Sequence, residues 1–270
     1  MSRVTPPARV IHADWSVNPQ KRWLCEAVLG DDARYTVTAP RPMPDPGLLA
    51  LTLVSLAPRG ALIGFDFPIG LPLAYARKVG ITSFLEVLPQ LGTGEWADFY
   101  NVATTPAEIS LRRPFYPAKP AGARRVHLTE ALGIPDLRRQ CDRKTPDRRA
   151  AAELFWTIGA QQVGKAAISG WQELLGPALS MGDLFPIAIY PFSGAFHDLL
   201  QPGQVVVCEA YPAEYYAHLG ITFPKKTGGR SGKRVQADRL LNAPKLYTFA
   251  EDAGIHLDPA LRQMIDDGFG

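Results

Sequence analysis

Three carboxylates of this 270-residue chain are candidate catalytic or metal-binding groups, because each lies at the end of an apolar run. Asp14 closes Arg-Val-Ile-His-Ala-Asp, Asp66 follows Ala-Leu-Ile-Gly-Phe, and Glu209 ends Gln-Val-Val-Val-Cys-Glu. The runs are short, apolar and bounded by turn residues, a pattern that predicts buried strands. An ionised carboxylate in or beside a core strand is costly unless it is paired or binds a metal.

Strand ends that are far apart in sequence can meet at one edge of a sheet, and such an edge suits a metal. Mg²⁺ prefers carboxylate and water oxygens, and two ions about 3.5–4 Å apart can activate water for phosphodiester cleavage. We therefore predict that Asp14, Asp66 and Glu209 are catalytic residues that hold Mg²⁺ or Mn²⁺. Without metal the carboxylates repel one another, so at least one pKa should rise.

Each carboxylate also has an ordinary structural alternative. Asp14 fits a turn or a helix cap, Asp66 fits a capped turn before Pro68, and Glu209 fits an ion pair with a nearby arginine. Taken singly, these alternatives are favoured. The shared position of all three residues at strand ends favours the metal site instead.

The basic residues are clustered although the net charge is only +3. More than half of the 29 lysines and arginines lie in three segments, 112–125, 138–149 and 225–239. A polyanion partner such as nucleic acid would produce this pattern. The alternative is three solvated faces, and Asp136, Asp142 and Asp147 could pair locally within the middle segment.

A glycine-rich segment, 228–234, invites comparison with a phosphate-binding loop. Its two outer glycines, Gly228 and Gly232, are separated by three residues where the Walker pattern has four, and Arg234 stands where the hydroxyl residue belongs, so the pattern is not met. We predict a mobile basic loop, with the phosphate backbone of a nucleic acid contacted by Lys225, Lys226, Lys233 and Arg234.

The elements that must position these residues follow from the apolar patterning. Strands are predicted at 9–14, 22–29, 34–38, 61–65 and 204–209, with an extra strand within 184–190. Helices are predicted at 45–57 with Asp45 as N-cap and within 148–176, where Gly159, Gly164 and Gly170 are candidate positions for a break. Further helices are predicted at 213–219, from 235 into the low 240s before Pro244, and again from Lys245. A hairpin joins the first two strands, and the first helix crosses over to a parallel strand.

These elements indicate one α/β domain over residues 1–270, with core strands within 9–72 and 203–270. Residues 73–202 carry few strand signals and are predicted to form a largely helical insertion. No apolar stretch is long enough to span a membrane. The three cysteines match neither a disulfide framework nor a zinc pattern, and the N-terminus lacks the apolar centre of a secretory signal, so we expect a cytoplasmic protein.

Four motifs resemble those of a known family. They are His-Ala-Asp-Trp-Ser at 12–16, Gly-Phe-Asp-Phe-Pro-Ile-Gly-Leu-Pro at 64–72, Cys-Glu-Ala-Tyr-Pro-Ala-Glu at 208–214 and Gly-Lys-Arg at 232–234. Together they resemble the domain-of-unknown-function 429 family, a family of predicted nucleases in the RNase-H-like superfamily. The similarity spans nearly the whole chain, and the second and third motifs are the most specific.

The resemblance implies an RNase-H-like fold, in which a five-stranded mixed sheet of order 3-2-1-4-5 is flanked by helices. It implies Asp14 on the first strand, Asp66 after the fourth and Glu209 after the fifth as metal-site carboxylates. The strand order that the residues themselves indicate agrees with it. The implied activity is metal-dependent hydrolysis of nucleic acid.

The end of the chain departs from the family pattern. Family members finish with a helix that carries an Asp-Ala-Xaa-Asp-Ala-like segment, and this helix would begin where the sequence ends, at Gly270. The late acidic candidates are Asp266 and Asp267. We therefore expect the C-terminal helix to be missing and the site to be incomplete. The alternatives are that the sequence is a fragment or that the missing helix comes from elsewhere.

Two other functions compete with a nuclease. An ATP-dependent kinase of the actin-like superfamily shares the sheet order but needs a second similar domain and a second glycine-rich loop, for which the sequence gives no signal. A non-catalytic nucleic-acid-binding module is favoured by the incomplete site. Salt-sensitive binding without metal-dependent cleavage would distinguish the module from the nuclease.

Overall fold

The framework of the chain is a mixed sheet that positions the three carboxylates. The computed structural model describes residues 5–145, 150–159, 163–223 and 232–269, and within them eight strands form one sheet. The strands are β1 (Arg9–Asp14), β2 (Trp23–Leu29), β3 (Tyr35–Val37), β4 (Arg41–Pro42), β5 (Ala61–Phe65), β6 (Ile187–Ile189), β7 (Val205–Glu209) and β8 (His256–Leu257).

The strands are arranged in the order β6-β7-β5-β1-β2-β3-β8, and β4 pairs with β2 at the side of this path. The five predicted core strands are therefore neighbours in the predicted order, as β3-β2-β1-β5-β7. The prediction of a mixed sheet flanked by helices is confirmed, but the predicted count of five is wrong. The additional strands have two or three residues each, and only β6 falls within a predicted strand.

The pairing directions bring four strand ends to one edge of the sheet. β1 pairs with β2 as an antiparallel hairpin, whereas β1, β5, β7 and β6 run parallel to one another. Ala13 of β1 lies opposite Phe65 of β5, and Phe65 lies opposite Glu209 of β7. The carboxyl ends of these strands therefore lie side by side at one edge.

Helices flank the sheet, and most of them are short. They are α1 (Pro46–Leu56), α2 (Leu73–Val79), α3 (Phe84–Val87), α4 (Val126–Leu132), α5 (Val163–Gly170), α6 (Gly176–Ser180), α7 (Phe196–Leu199), α8 (Pro212–His218), α9 (Gln236–Asp252) and α10 (Pro259–Asp266). A π-helical segment, Trp171–Leu175, joins α5 to α6.

Local sequence signals account for the helix that precedes β5. The side chain of Asp45 accepts a hydrogen bond from the N–H of Gly47 at 2.8 Å, so the predicted N-cap is confirmed. α1 buries Leu49 and Leu53 and packs against the π-helical segment. The chain then enters β5 parallel to β1, as the predicted crossover requires.

The larger part of the core lies on one face of the sheet. Ile11, Ala13, Ile63, Phe65 and Val207 are buried there together with the aromatic side chains of the 73–202 region. The opposite face carries a smaller cluster in which Val206 packs with Ala188, Leu199 and Leu200. The side chains of β1, β5 and β7 therefore alternate between a thickly covered face and a thinly covered one.

The helix predicted within 148–176 is wrong over residues 150–159, which are not helical. This stretch pairs with a distant segment instead, because Tyr116 N–H donates to the Phe155 carbonyl at 2.9 Å and Thr157 N–H donates to the Tyr116 carbonyl at 3.1 Å. Gly159 then adopts a positive φ of 85°, which breaks any helical continuation. Helical structure is present from Val163 to Ser180.

The predicted break at Pro244 is also wrong, because α9 continues through it. A proline inside a helix leaves the carbonyl four residues earlier, here that of Leu240, without its helical partner. Burial outweighs this cost, since Ala243 packs with Leu261 and Ile265 of α10. The helix predicted near 213–219 is confirmed as α8.

Candidate carboxylate site

Asp14 and Asp66 meet at the ends of two neighbouring parallel strands. Asp14 is the last residue of β1, and Asp66 follows β5 directly. Asp66 N–H donates to the Ala13 carbonyl at 3.4 Å, which places Asp66 beside Asp14 in the register. The N–H of Trp15 donates to Oδ1 of Asp66 at 2.6 Å and so fixes that carboxylate.

The surroundings of Asp66 in this pair favour its protonated form. Burial, then the charge of Asp14 and a hydrogen bond with it, raise the pKa of Asp66 from 3.8 to about 7, although the bond from Trp15 N–H opposes the change. The predicted rise in a carboxyl pKa is thereby confirmed. Asp14 is exposed to solvent, so the pair is open to a cation or a substrate from one side.

Glu209 faces a different environment. Its Oε1 accepts from Nη2 of Arg139 at 2.8 Å, and its Oε2 accepts from Nη1 of Arg139 and from the N–H of Ile69, the latter at 2.8 Å. The alternative of an ion pair with a nearby arginine is therefore the one that the structure contains. Both carboxylate oxygens are occupied by this pairing.

Alternation along the strands explains why Glu209 separates from the other two. Glu209 lies opposite Phe65, which lies opposite Ala13, and residues opposite one another point to the same face of a sheet. Asp14 follows Ala13, so its side chain points to the other face. Glu209 thus projects toward the thickly covered face, where Arg139 lies.

The structure brings two of the three predicted ligands together. Among residues 5–145, 150–159, 163–223 and 232–269, no group of three or more His, Cys, Asp and Glu side chains is placed to hold a metal ion. Asp14 and Asp66 alone supply two carboxylates, a set that fits one Mg²⁺ completed by water and substrate oxygens. A pair of ions, which needs three or four carboxylates, does not fit this arrangement.

Arg139 is the important residue of this region that the sequence did not single out. Its side chain is buried, with Nε and Nη2 donating to Asp142 at 2.9 and 2.7 Å and Nη1 donating to the Ile69 carbonyl at 3.1 Å. Burial opposes its charge, but the hydrogen bonds and charges of Glu209 and Asp142 raise the pKa of Arg139. Arg139 therefore ties the end of β7 to the turn after Asp66.

Part of this pairing had a signal in the sequence. Asp142 stands three residues after Arg139, and the predicted local pairing within the middle basic segment is confirmed for Asp142 and for Asp136, which pairs with Arg138 and Arg143. Asp147 lies outside the described residues. The contact between Arg139 and Glu209 joins positions far apart in the chain, and no local pattern predicts it.

The predicted phosphate contacts are placed only in part. Lys225 and Lys226 lie outside the described residues. Lys233 and Arg234 are exposed on a turn of 3-10 helix, Gly232–Arg234. A Cβ at Gly232 would lie 3.0 Å from Phe223, whose ring packs on Tyr216 of α8 at 5.5 Å. The two cations therefore lie near α8, the helix that follows β7.

The first basic segment is largely engaged in contacts within the fold. Arg112 forms an ion pair with Glu95 and lies over the ring of Trp96 at 3.7 Å. Arg113 pairs with Glu108 at 3.0 Å. These cations stabilise their own surroundings, and the clustering of charge in this segment therefore does not require a polyanion partner.

The late acidic candidates are used in local contacts of α10 and α9. Asp266 accepts a hydrogen bond from the hydroxyl of Tyr247 at 2.7 Å, and Asp267 accepts one from Gln263 at 3.1 Å. Neither residue joins Asp14 and Asp66 in a metal-holding group of the described residues.

None of the described helices is long and apolar enough to cross a membrane.

Comparison with other proteins adds no assignment. Searches of the chain against protein-family models, curated proteins and solved structures return no match.

Proposed function

We propose that this chain is a metal-dependent phosphodiesterase that acts on nucleic acid, with Asp14 and Asp66 as the metal-binding carboxylates. The observation that carries the proposal is the meeting of these two side chains at the carboxyl ends of adjacent parallel strands, where open α/β sheets bind their ligands. Two carboxylates that repel each other and hold a proton near neutral pH are poised to exchange that proton for a cation.

The site chemistry divides between the metal and the chain. A divalent ion bound there would polarise the phosphoryl oxygen and lower the pKa of a bound water. Asp14, exposed at the end of β1, faces the side from which a substrate phosphate arrives. Trp15 N–H orients the Asp66 carboxylate, so that the metal-binding oxygens of Asp66 are in place before substrate binds.

Glu209 takes a supporting role in this proposal, although the sequence predicted it as a third ligand. Its pairing with Arg139 and with Ile69 N–H holds the turn that follows Asp66. We therefore assign Glu209 and Arg139 as positioning residues, which act through the geometry of that turn.

An RNase-H-like fold is part of the proposal. Its support is the order of the five neighbouring strands β3-β2-β1-β5-β7, together with the resemblance of the motifs around Asp14, Asp66 and Glu209 to the family of predicted nucleases. The additional short strands extend the sheet at both sides and leave that order unchanged.

The test is cleavage of labelled DNA and RNA in Mg²⁺ or Mn²⁺ by the wild type, Asp14→Asn and Asp66→Asn. We expect cleavage that EDTA abolishes and that each variant reduces at least ~100-fold, the order of effect seen when a charge-stabilising catalytic group is lost. Asp31→Asn, an exposed aspartate in the turn between β2 and β3, is the matched control and should retain full activity. Equal activity in the wild type and Asp14→Asn would sink the assignment.

A second candidate is a non-catalytic nucleic-acid-binding module. The observation that favours it is the engagement of both Glu209 oxygens by Arg139, which leaves two carboxylates at the edge. This candidate predicts salt-dependent binding with no metal-dependent cleavage. The same DNA and RNA panel, measured for binding as well as cleavage, separates the two functions.

A further inference from the structure

Four aromatic side chains stand exposed in the segments that follow β6 and β7. They are Tyr190, Phe192, Tyr211 and Tyr215, and their exposed fractions are 38%, 41%, 49% and 60%. We call this set the aromatic edge. Aromatic side chains usually contribute large buried areas to a core, so several exposed rings near one site mark a binding surface.

Topology places the aromatic edge beside the carboxylate pair. β6 and β7 are parallel to β5, so the residues after them emerge at the same edge as Asp66. Tyr190 and Phe192 follow β6, Tyr211 is the N-cap of α8, and Tyr215 lies within α8, the helix after β7.

A close contact ties one of these rings to the turn after Asp66. A Cβ at Gly70 would lie 2.6 Å from Cζ of Phe192, so the ring rests against the backbone of Gly70, which also has a positive φ of 105°. The Phe192 ring also contacts that of Phe84, with 4.9 Å between their centroids. Phe192 is therefore held in place while two fifths of its surface stays in solvent.

Cations accompany the aromatic rings. Tyr215 precedes Tyr216, whose ring packs on Phe223, and Phe223 supports the turn that presents Lys233 and Arg234. Exposed rings and exposed cations around one helix match a single-stranded nucleic acid, whose unpaired bases stack while its phosphates contact lysine and arginine. A duplex keeps its bases stacked internally and offers no free faces to such rings.

We propose that the aromatic edge binds a single-stranded segment of nucleic acid by base stacking and delivers its backbone to Asp14 and Asp66. This inference rests on the proposed function for the delivery step, whereas the stacking itself requires no metal. The substrate class is therefore single-stranded DNA or RNA, including the unpaired ends and loops of structured nucleic acid.

The test measures binding in EDTA, so that cleavage plays no part. Fluorescence anisotropy compares a labelled oligothymidylate of about 12 nucleotides, within the range of known single-strand sites, with a duplex of the same length. We expect the single strand to bind more tightly, and Tyr215→Ala to weaken its binding roughly 5- to 100-fold, the loss expected for one stacked base. Tyr215→Phe keeps the ring and should bind like the wild type.

Two controls make the result specific. Phe249→Ala removes an aromatic side chain that is 47% exposed on α9, which is not one of the segments that follow β6 and β7, and should leave binding unchanged. Lys233→Gln should reduce the slope of log affinity against log salt concentration by about 0.7, as expected for one lost phosphate contact with a single strand. Urea unfolding of each variant establishes that it is folded.

The inference is overturned if the single strand and the duplex bind equally, or if Tyr215→Ala binds as tightly as the wild type. These outcomes leave the proposed nuclease standing, because cleavage is assayed separately with Asp14→Asn. Conversely, strand-selective binding without metal-dependent cleavage supports the aromatic edge and contradicts the nuclease.

Discussion

The pair formed by Asp14 and Asp66 owes its acid–base behaviour to its position at the ends of two adjacent strands. Desolvation of Asp66 and the nearby charge of Asp14 both favour the neutral form of Asp66. Solvent access to Asp14 keeps the pair reachable from outside. A site of this kind is electrostatically unfavourable in its ionised form, and a divalent cation is the natural means of relieving it.

We predict that Asp66 makes the metal-free protein less stable as pH rises. In the unfolded chain this carboxyl ionises near its ordinary pKa of 3.8, whereas in the folded protein it holds its proton to about pH 7. Between these values the folded state binds more protons, so the free energy of unfolding falls by up to about 1.4 kcal/mol per pH unit.

Urea unfolding in EDTA at several pH values between about 4 and 8 measures this effect. Asp66→Asn should lose that part of the slope and gain stability over the wild type at neutral pH, whereas Asp31→Asn should keep the wild-type slope. If the free energy of unfolding varied with pH in the same way for the wild type and Asp66→Asn, the raised pKa of Asp66 would be contradicted.

Arg139 is predicted to be the most costly charge to remove from the region. Arg139→Met leaves Glu209 and the buried Asp142 without their partner, and breaking a buried pair in this way typically costs about 3–5 kcal/mol. Arg143→Met removes a more exposed arginine that pairs with Asp136 and should cost about 1 kcal/mol or less. Urea unfolding measures the stability of both variants. A similar loss of unfolding free energy in Arg139→Met and Arg143→Met would contradict a stabilising role for the buried Arg139 ion pairs.

At the scale of the elements, the strands that carry the site were predictable and the partners of their side chains were only partly so. The runs ending at Asp14, Asp66 and Glu209 are strongly apolar, and their parallel order follows from a hairpin and one helical crossover. Alternation then separates Glu209 from Asp14. This separation depends on the register between β5 and β7, which cannot be predicted from the sequence of either strand alone.

Tertiary contacts explain the two errors in the helix predictions. Residues 150–159 carry a helical apolar pattern, yet their backbone forms hydrogen bonds with Tyr116 and not with itself in a helix. Their apolar side chains are buried in the core in this non-helical conformation. Pro244 predicts a break, yet the contacts of α9 with α10 outweigh the lost hydrogen bond. Local propensity is a weak guide wherever a distant segment supplies the partner.

Replacement of Pro244 by alanine should therefore stabilise the protein. Pro244→Ala restores an N–H that can donate to the Leu240 carbonyl, and proline costs about 3 kcal/mol relative to alanine inside a helix. The greater freedom of the unfolded variant offsets about 0.4–1 kcal/mol. We expect a net gain of about 2 kcal/mol in the free energy of unfolding measured with urea. A loss of stability would contradict the helical path of α9 through residue 244.

At the scale of the whole molecule, the sheet divides the chemistry between its two faces and one edge. The thickly covered face buries the Arg139 network, which fixes the turn after Asp66. At the carboxyl ends of the parallel strands, the Asp14–Asp66 pair lies after β1 and β5, and the aromatic edge follows the adjacent strands β7 and β6. Motif spacing predicted three carboxylates at this edge, but the separation of Glu209 from Asp14 and Asp66 became apparent only from the three-dimensional arrangement.

The most direct test of the central claim is anomalous diffraction from crystals of the wild type soaked in Mn²⁺. We expect one strong Mn²⁺ peak bound by the carboxylates of Asp14 and Asp66, with Glu209 still paired to Arg139. The peak should be absent from crystals of Asp14→Asn. A peak held elsewhere, or one that persists unchanged in Asp14→Asn, would contradict the assignment of this pair as the metal site.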